Sequence, residues 1–254
     1  MKYNVLLMFR DYLRSSGLSS STASTYYKAM DYLLNDQILL DCSKLDIKLV
    51  LQKLQVITYK SYYSKYKNAF LKFCDYQNIK LSDKVRIELD AMKSDKIKKY
   101  RKPKPVLLTS IKNKIRVIRD RKLKLSLQIM LATGIRVSEL SQVTTKDCTL
   151  ANDNIKLSFI GKGGNAETVM ITDSKIVSAL RELLAITPKG EKLFYSANYL
   201  QKHARKRNFA CHDLRRAFAK IVYKATKSIR RVMELMRHKK YRSSKIYLTS
   251  KVKI

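Results

Sequence analysis

The sequence predicts a mainly α protein: a helical N-terminal domain, then a helix-rich second domain carrying a small antiparallel β-sheet. Three observations predict it. Long stretches repeat their apolar residues at helical spacing. Only 6 glycines and 3 prolines serve 254 residues, too few for the many tight turns of an all-β design. One pair of alternating, β-branched segments flanks a glycine-rich turn and stands alone among the helical runs. Apolar residues make up 45% of the chain, enough for a real core and too many for wholesale disorder.

Residues 3–16 read as the first helix, with Val5, Leu6, Phe9, Tyr12 and Leu13 on one face and Gly17 ending the run. The cluster Leu18-Ser19-Ser20-Ser21-Thr22 supplies N-caps for a second helix, which carries Tyr26, Met30, Leu33 and Leu34 to about Asn35. A short third helix is expected at 45–55 and a fourth at 58–76. In the fourth, Tyr62, Tyr66, Ala69, Phe70 and Phe73 make the inward stripe, while Lys60, Ser64 and Lys67 share another face. That second face suits a phosphate backbone or is an ordinary solvated surface. Residues 93–105 hold seven cations, Lys93, Lys96, Lys98, Lys99, Arg101, Lys102 and Lys104, with Pro103 and Pro105, and read as a basic linker. The boundaries are therefore 1–92 for the N-terminal domain, 93–105 for the linker and 106–254 for the second domain.

Beyond the linker, helices are expected at 109–119, 123–133 and 137–143. Strands at 154–160 and 166–171 alternate in polarity around Gly161-Lys162-Gly163-Gly164-Asn165, a hairpin signal. Helices resume at about 173–185, 197–206, 213–224 and 228–237, with a short one at 243–249.

Charge separates the function classes. The formal net charge is +34, from 54 Lys and Arg against 20 Asp and Glu. An AT-rich genome, whose codons favour lysine, is the bland explanation, and it does not account for where the cations cluster. A nucleic acid is the usual polyanionic partner for such a chain, and binding of that kind weakens steeply with salt. Cys42, Cys74, Cys148 and Cys211 form no C-x-x-C pair, so neither a zinc site nor a redox motif is indicated, and reduced, buried thiols are expected. No run approaches the ~18 apolar residues of a membrane span. No signal peptide is evident, and the expected location is cytoplasmic, with the nucleoid.

The residues able to do chemistry are few. Of three histidines, His212 opens a helix as His212-Asp213-Leu214-Arg215, placing His212 and Arg215 on one face. His238 follows the helix ending Leu235-Met236-Arg237, and Tyr247 comes nine residues later, near candidate caps Ser243 and Ser244. Upstream, Gly134-Ile135-Arg136 breaks two apolar runs, so Arg136 emerges at a helix junction with Glu139 able to hold it. This set suits a phosphodiester. Two arginines fork onto non-bridging oxygens, two histidines donate further bonds, and a tyrosine attacks phosphorus. Lys162, at the hairpin tip, is a suitable general acid for the leaving 5′-oxygen. Tyr223 and Tyr241 remain alternative tyrosines. No acidic cluster for paired Mg²⁺ is apparent, and neither metal nor ATP is required.

The ordered motifs resemble those of the tyrosine recombinase or phage integrase family, of the simple two-domain type. Ala132-Thr133-Gly134-Ile135-Arg136-Val137-Ser138-Glu139-Leu140 resembles its first arginine box, and His212-Asp213-Leu214-Arg215-Arg216 its second. Leu235-Met236-Arg237-His238 through Tyr247-Leu248 is similar to the last box, and Gly161-Lys162-Gly163-Gly164 to the lysine hairpin. Gly17-Leu18-Ser19 with Thr22 and Tyr26 is similar to the opening of the core-binding domain. Two departures matter: Arg237 occupies the position where the family usually has glycine, and only seven residues follow Tyr247, fewer than the tail of many relatives.

The resemblance implies a C-shaped clamp on duplex DNA, with Arg136, Lys162, His212, Arg215, His238 and Tyr247 as active-site residues and Glu139 in support. It implies cutting and rejoining through a 3′-phosphotyrosyl intermediate and a Holliday junction, with no cofactor. The implied partners are double-stranded DNA with inverted-repeat core sites, a homotetramer on paired sites, and accessory or directionality factors. Lys60, Lys67, Lys98, Lys99, Arg101, Lys102, Lys104 and Arg216 are the expected DNA contacts. A DNA-binding regulator that no longer cuts and a type IB topoisomerase are the alternatives.

Overall fold

A computed structural model describes residues 2–35, 45–94, 106–161, 164–249 and 252–253. The chain is mainly helical, with a small antiparallel sheet, and divides into two compact units, Met1–Arg101 and Lys102–Ile254.

The first unit contains α1 (Lys2–Ser15), α2 (Ser20–Leu33), α3 (Ile47–Val56), α4 (Lys60–Tyr76) and α5 (Asp83–Ser94). Gly17, at φ 84°, turns the chain out of α1, and the Ser19 hydroxyl accepts the Thr22 N–H at 3.2 Å to start α2. Asp46 caps α3 the same way, through the Leu49 N–H at 3.1 Å. The core joins Leu6, Phe9 and Leu13 of α1 to Met30 and Leu33 of α2 and Phe70 and Phe73 of α4. Phe9 meets Phe73 edge to face at 5.2 Å.

Two expectations need correction here. Tyr62 does not face inward; it is exposed, and Tyr63 is the buried tyrosine of α4. The reason is polar. The Tyr63 hydroxyl donates to the Leu89 carbonyl of α5, a partner that makes burial of a phenol tolerable. The sequence reading assigned no helix to 83–94, and α5 runs into residues expected to begin the linker. Residues 95–105 lie outside those described, and with them Lys98, Lys99, Arg101, Lys102 and Lys104.

The second unit is organised around α7 (Arg121–Thr133). Before it come β1 (Val106–Leu107) and α6 (Leu108–Arg116); after it come the short α8 (Val137–Leu140), then β2 (Cys148–Ala151), β3 (Asn154–Ile160) and β4 (Ala166–Ile171). The remaining helices are α9 (Ser174–Ile186), α10 (Ala197–Arg205), α11 (Cys211–Thr226), α12 (Ile229–Met236) and α13 (Tyr241–Leu248), followed by β5 (Val252–Lys253). Helix α7 buries Leu123, Leu125, Leu127, Ile129 and Met130, and packs against α9, α11 and β4. Apolar residues nearly all round it match its burial on several sides.

The sheet has order β2-β3-β4, antiparallel throughout. Ile155, Leu157 and Phe159 of β3 alternate into the core, as the period of a strand requires. Strand β2 extends the expected hairpin by one strand, and a separate parallel pair joins Val106 to Val252 and Leu107 to Lys253. Lys162 and Gly163, at the hairpin tip, lie outside the described residues. Cys74 and Cys211 are buried free thiols and Cys148 is half-buried.

Gly134 ends α7 at φ 64°, where its N–H closes on the Met130 carbonyl at 3.0 Å. A Cβ there would collide with the Phe218 ring and lie 3.1 Å from Met236 Sδ. Gly134→Ala therefore combines a left-handed backbone penalty with overpacking, and should destabilise the chain by about 2–5 kcal/mol. Urea unfolding checks this; a shift below about 1 kcal/mol would mean that Phe218 and Met236 yield freely.

Candidate active site

The site is built on the first turns of α11. Asp213, fully buried, accepts the Ala210 N–H at 2.9 Å and so fixes the start of that helix. His212 and Arg215 then project from one face. Arg215 is the largest fully buried side chain among the described residues. Its guanidinium donates to the Gly134 carbonyl at the end of α7 and to the Met236 carbonyl at the end of α12, the latter at 2.5 Å. Nη2 also lies 3.3 Å from His238 Nε2, while Nε is buried with no hydrogen-bond partner. Burial, then repulsion from Arg136, lowers its pKa to about 10, so it remains charged at neutral pH.

Arg136 follows the Gly134 turn and precedes α8. Glu139, buried on α8, accepts the Arg136 N–H at 2.9 Å and pairs with its guanidinium. One carboxylate thus orients both the backbone and the charge of Arg136.

The imidazoles and the phenol meet at this cluster. The Tyr247 ring, on α13, lies 5.1 Å from His212 and 4.9 Å from His238, with Arg215 Cζ 5.9 Å from its centroid. Desolvation is the first cause lowering both histidines to a pKa of about 4, followed by neighbouring arginines: Arg216 and Arg215 for His212, Arg215 and Arg136 for His238. His212 keeps an exposed edge, so water moderates that effect. His238 Nδ1 sits 2.9 Å from the Ser244 hydroxyl. Arginine offers no acceptor, so Nε2 accepts from Arg215 and the ring proton rests on Nδ1, donated to Ser244.

Arg136, His212, Arg215, His238 and Tyr247 therefore adjoin one another, and an opening of about 350 Å³ runs beside them, lined by Arg136, Ser138, Arg205, His212 and Arg215 among others. Arg216 is engaged by Asp213 at 2.8 Å, with part of its side chain exposed. Lys60 and Lys67 belong to the first unit; Lys60 is exposed, and Lys67 is committed to an ion pair with Asp90. The alternative tyrosines, Tyr223 and Tyr241, lie at the surface.

Sequence reasoning missed two groups. Ser244, taken for a helix cap, is fully buried and orients His238 instead. Arg237 and Glu167 form a half-hidden ion pair beside Glu139. The signal for Ser244 was its spacing of six residues from His238 across a helix start; no local pattern announced Glu167. Among the described residues, no three of His, Cys, Asp or Glu gather in a way that could hold a metal ion, and no helix is long and apolar enough to cross a membrane.

A helical scaffold that gathers two guanidiniums, two imidazoles and a phenol into one cluster, with an opening beside it, is an arrangement suited to handling a phosphodiester. The chain belongs to the phage integrase family, whose model matches residues 105–253. It is similar to the tyrosine recombinase XerH of Campylobacter jejuni, 30% identical over 143 residues, which is 49% of this chain and 40% of that protein. It is also similar to XerC of Actinobacillus pleuropneumoniae, 28% identical over 160 residues, covering 56% of this chain and 50% of that one. The matches thus span half or less of the length of these curated relatives. Among solved structures, XerH bound to difH substrate in a pre-cleavage complex aligns with TM-score 0.64 and 20% identity, over 89% of this chain and 74% of that one. A lambda integrase dimer (residues 75–356) on a COC′ core site aligns with TM-score 0.70 and 15% identity, over 97% and 94%. At these identities the structural likeness speaks for the fold.

The histidine environment has a consequence for stability. Their folded pKa of about 4 lies below the unfolded value near 6.5, so between those values the unfolded chain binds more protons. Stability should therefore fall as pH drops from about 6.5 to 4, and level off below. Urea midpoints at pH 7, 5.5 and 4.5 test this against His212→Asn/His238→Asn, in which the slope should be shallower; an unchanged slope would reject the depressed values.

Proposed function

We propose that the chain is a site-specific DNA recombinase that cuts and rejoins double-stranded DNA with Tyr247 as nucleophile. The observation that carries this reading is the Tyr247 ring, 4.9 Å and 5.1 Å from two imidazoles and over the buried Arg215. The Tyr247 oxygen attacks phosphorus, the bond to the 5′-oxygen breaks, and a 3′-phosphotyrosyl ester forms. The phenol proton passes to a neighbouring imidazole, and both imidazoles are kept neutral by their surroundings. Lys162 gives the leaving 5′-oxygen its proton. Arg136 and Arg215 hold the non-bridging oxygens, where the transition state gathers charge. Attack by a 5′-hydroxyl on the ester reverses the step without ATP, because the ester keeps the energy of the broken bond.

In this reading residues 1–92 are a core-binding domain, 93–105 a basic linker lying along DNA, and 106–254 the catalytic domain. The net charge of +34 supports a polyanionic partner. The family and the DNA-bound recombinases with the same fold support DNA as that partner. Inverted-repeat core sites, a homotetramer on paired sites, a Holliday junction, accessory factors and a place with the nucleoid complete the proposal. Lys60, Arg216 and the linker cations are its DNA contacts outside the cluster; Lys67 joins them only by leaving Asp90.

The test is an adduct that survives denaturant. The full chain is mixed with a labelled pool of nicked, random-sequence duplexes, and the trapped DNA is sequenced to give the site. Tyr247→Phe should abolish the adduct and leave binding intact, while Tyr241→Phe should retain it. Binding without any adduct would mark a non-cutting regulator; relaxation of supercoiled plasmid regardless of sequence would mark a topoisomerase. On the recovered site, Arg136→Ala and Arg215→Lys should each slow adduct formation on the order of 10²–10³-fold. Rates within about threefold of the parent chain would remove those arginines from the transition state.

A further inference from the structure

We propose that Arg237 is a positioning residue that locks the hairpin carrying Lys162 to the cluster of Arg136, Arg215 and His238. The inference rests on the recombinase reading above and assigns a role to a residue that reading leaves unused.

Arg237 lies between Met236, whose carbonyl binds Arg215, and His238. Its backbone is left-handed, at φ 55° and ψ 48°, a conformation that favours glycine. An arginine held there at only 12% side-chain exposure needs compensating contacts. They are all in one neighbourhood. Nε is 2.9 Å from Glu167 Oε2, in ion-pair contact although off the hydrogen-bond axis. Nη2 is 3.6 Å from Glu139 Oε2, and Nη1 donates to the Leu235 carbonyl at 3.2 Å. The guanidinium carbon lies 5.2 Å from the Phe159 ring centroid.

These contacts reach both strands of the hairpin. Phe159 is on β3 and Glu167 on β4, facing each other in the strand register. Glu167 also sits against Gly161, where an added Cβ would come within 2.5 Å of its carboxyl carbon. Gly161 leads directly into Lys162. At the other end, Glu139 is the carboxylate that orients Arg136. One guanidinium therefore joins the two strands that flank Lys162 in the sequence to the carboxylate that holds Arg136. Without it, Glu167 keeps no cation among the described residues.

Arg237→Gly is the informative variant, because glycine suits the left-handed backbone and the chain should fold. Arg237→Lys keeps one charge without the fork. In the free full chain, hydrogen exchange at backbone amides of 155–171 should speed up on the order of tenfold in Arg237→Gly, with α7 and α11 unchanged. Exchange that is unchanged in the hairpin, or faster everywhere, overturns the proposal. On the recovered site, Arg237→Gly should slow cleavage of ordinary DNA about 10–100-fold. DNA with sulfur at the 5′-bridging position needs no proton on its leaving group, so its cleavage should slow less than about twofold, as in Lys162→Ala. Arg237→Lys should recover part of the loss. Equal slowing on both substrates would place Arg237 outside the hairpin's function and reject the idea. A parent chain that forms no adduct on either DNA counts against the recombinase reading, and hydrogen exchange alone then decides the role of Arg237.

Discussion

The second unit depends on a buried guanidinium. Removing the Arg215 charge from water costs several kcal/mol, and among the described residues no carboxylate pairs with it. Its compensation comes from backbone. Helix α7 ends at Thr133 with the Gly134 carbonyl turned inward, and α12 ends at Met236 with its own carbonyl aimed at the same group. Helix C-termini carry partial negative charge, so two helix ends solvate one cation. That requirement brings the ends of α7 and α12 onto one side chain of α11. It also explains why Gly134 and Met236 matter although neither has reactive chemistry.

The same arrangement leaves the site electrostatically unfinished. Arg136, Arg215 and Arg237 face Glu139 and Glu167, while Asp213 is occupied by Arg216. Burial first, and then this excess positive potential, lowers the pKa of both histidines. The Nε of Arg215 is buried here without a hydrogen-bond partner. In the proposed reaction an arriving phosphate reverses the balance, because its negative charge raises the proton affinity of the imidazoles.

The helical class and the small sheet were legible because apolar spacing reports burial directly, and β3 alternates cleanly. Arg136, His212, Arg215, His238 and Tyr247 were legible by type and order, since few residues can do phosphoryl chemistry and this chain has only 3 histidines. What escaped depended on partners far away in sequence. Tyr62 and Tyr63 differ by one residue, or about 100° around a helix. Only the Leu89 carbonyl, on a helix not anticipated, decides that Tyr63 goes inside. Ser244 looked like a cap because serine near a helix start usually is one; the His238 ring, brought close by the α12–α13 turn, claims its hydroxyl. Strands β1 and β5 are too short for any periodic signal, and their pairing joins the two ends of the unit.

That last pairing has a topological consequence. Val106 and Val252 lie side by side, the latter fully buried and its carbonyl accepting from Lys220 at 2.5 Å. The unit's entry and exit therefore form a seam, and the polypeptide between them is a nearly closed ring. The exposed Asn152 turn between β2 and β3 lies outside the core, so it is the place to open such a ring.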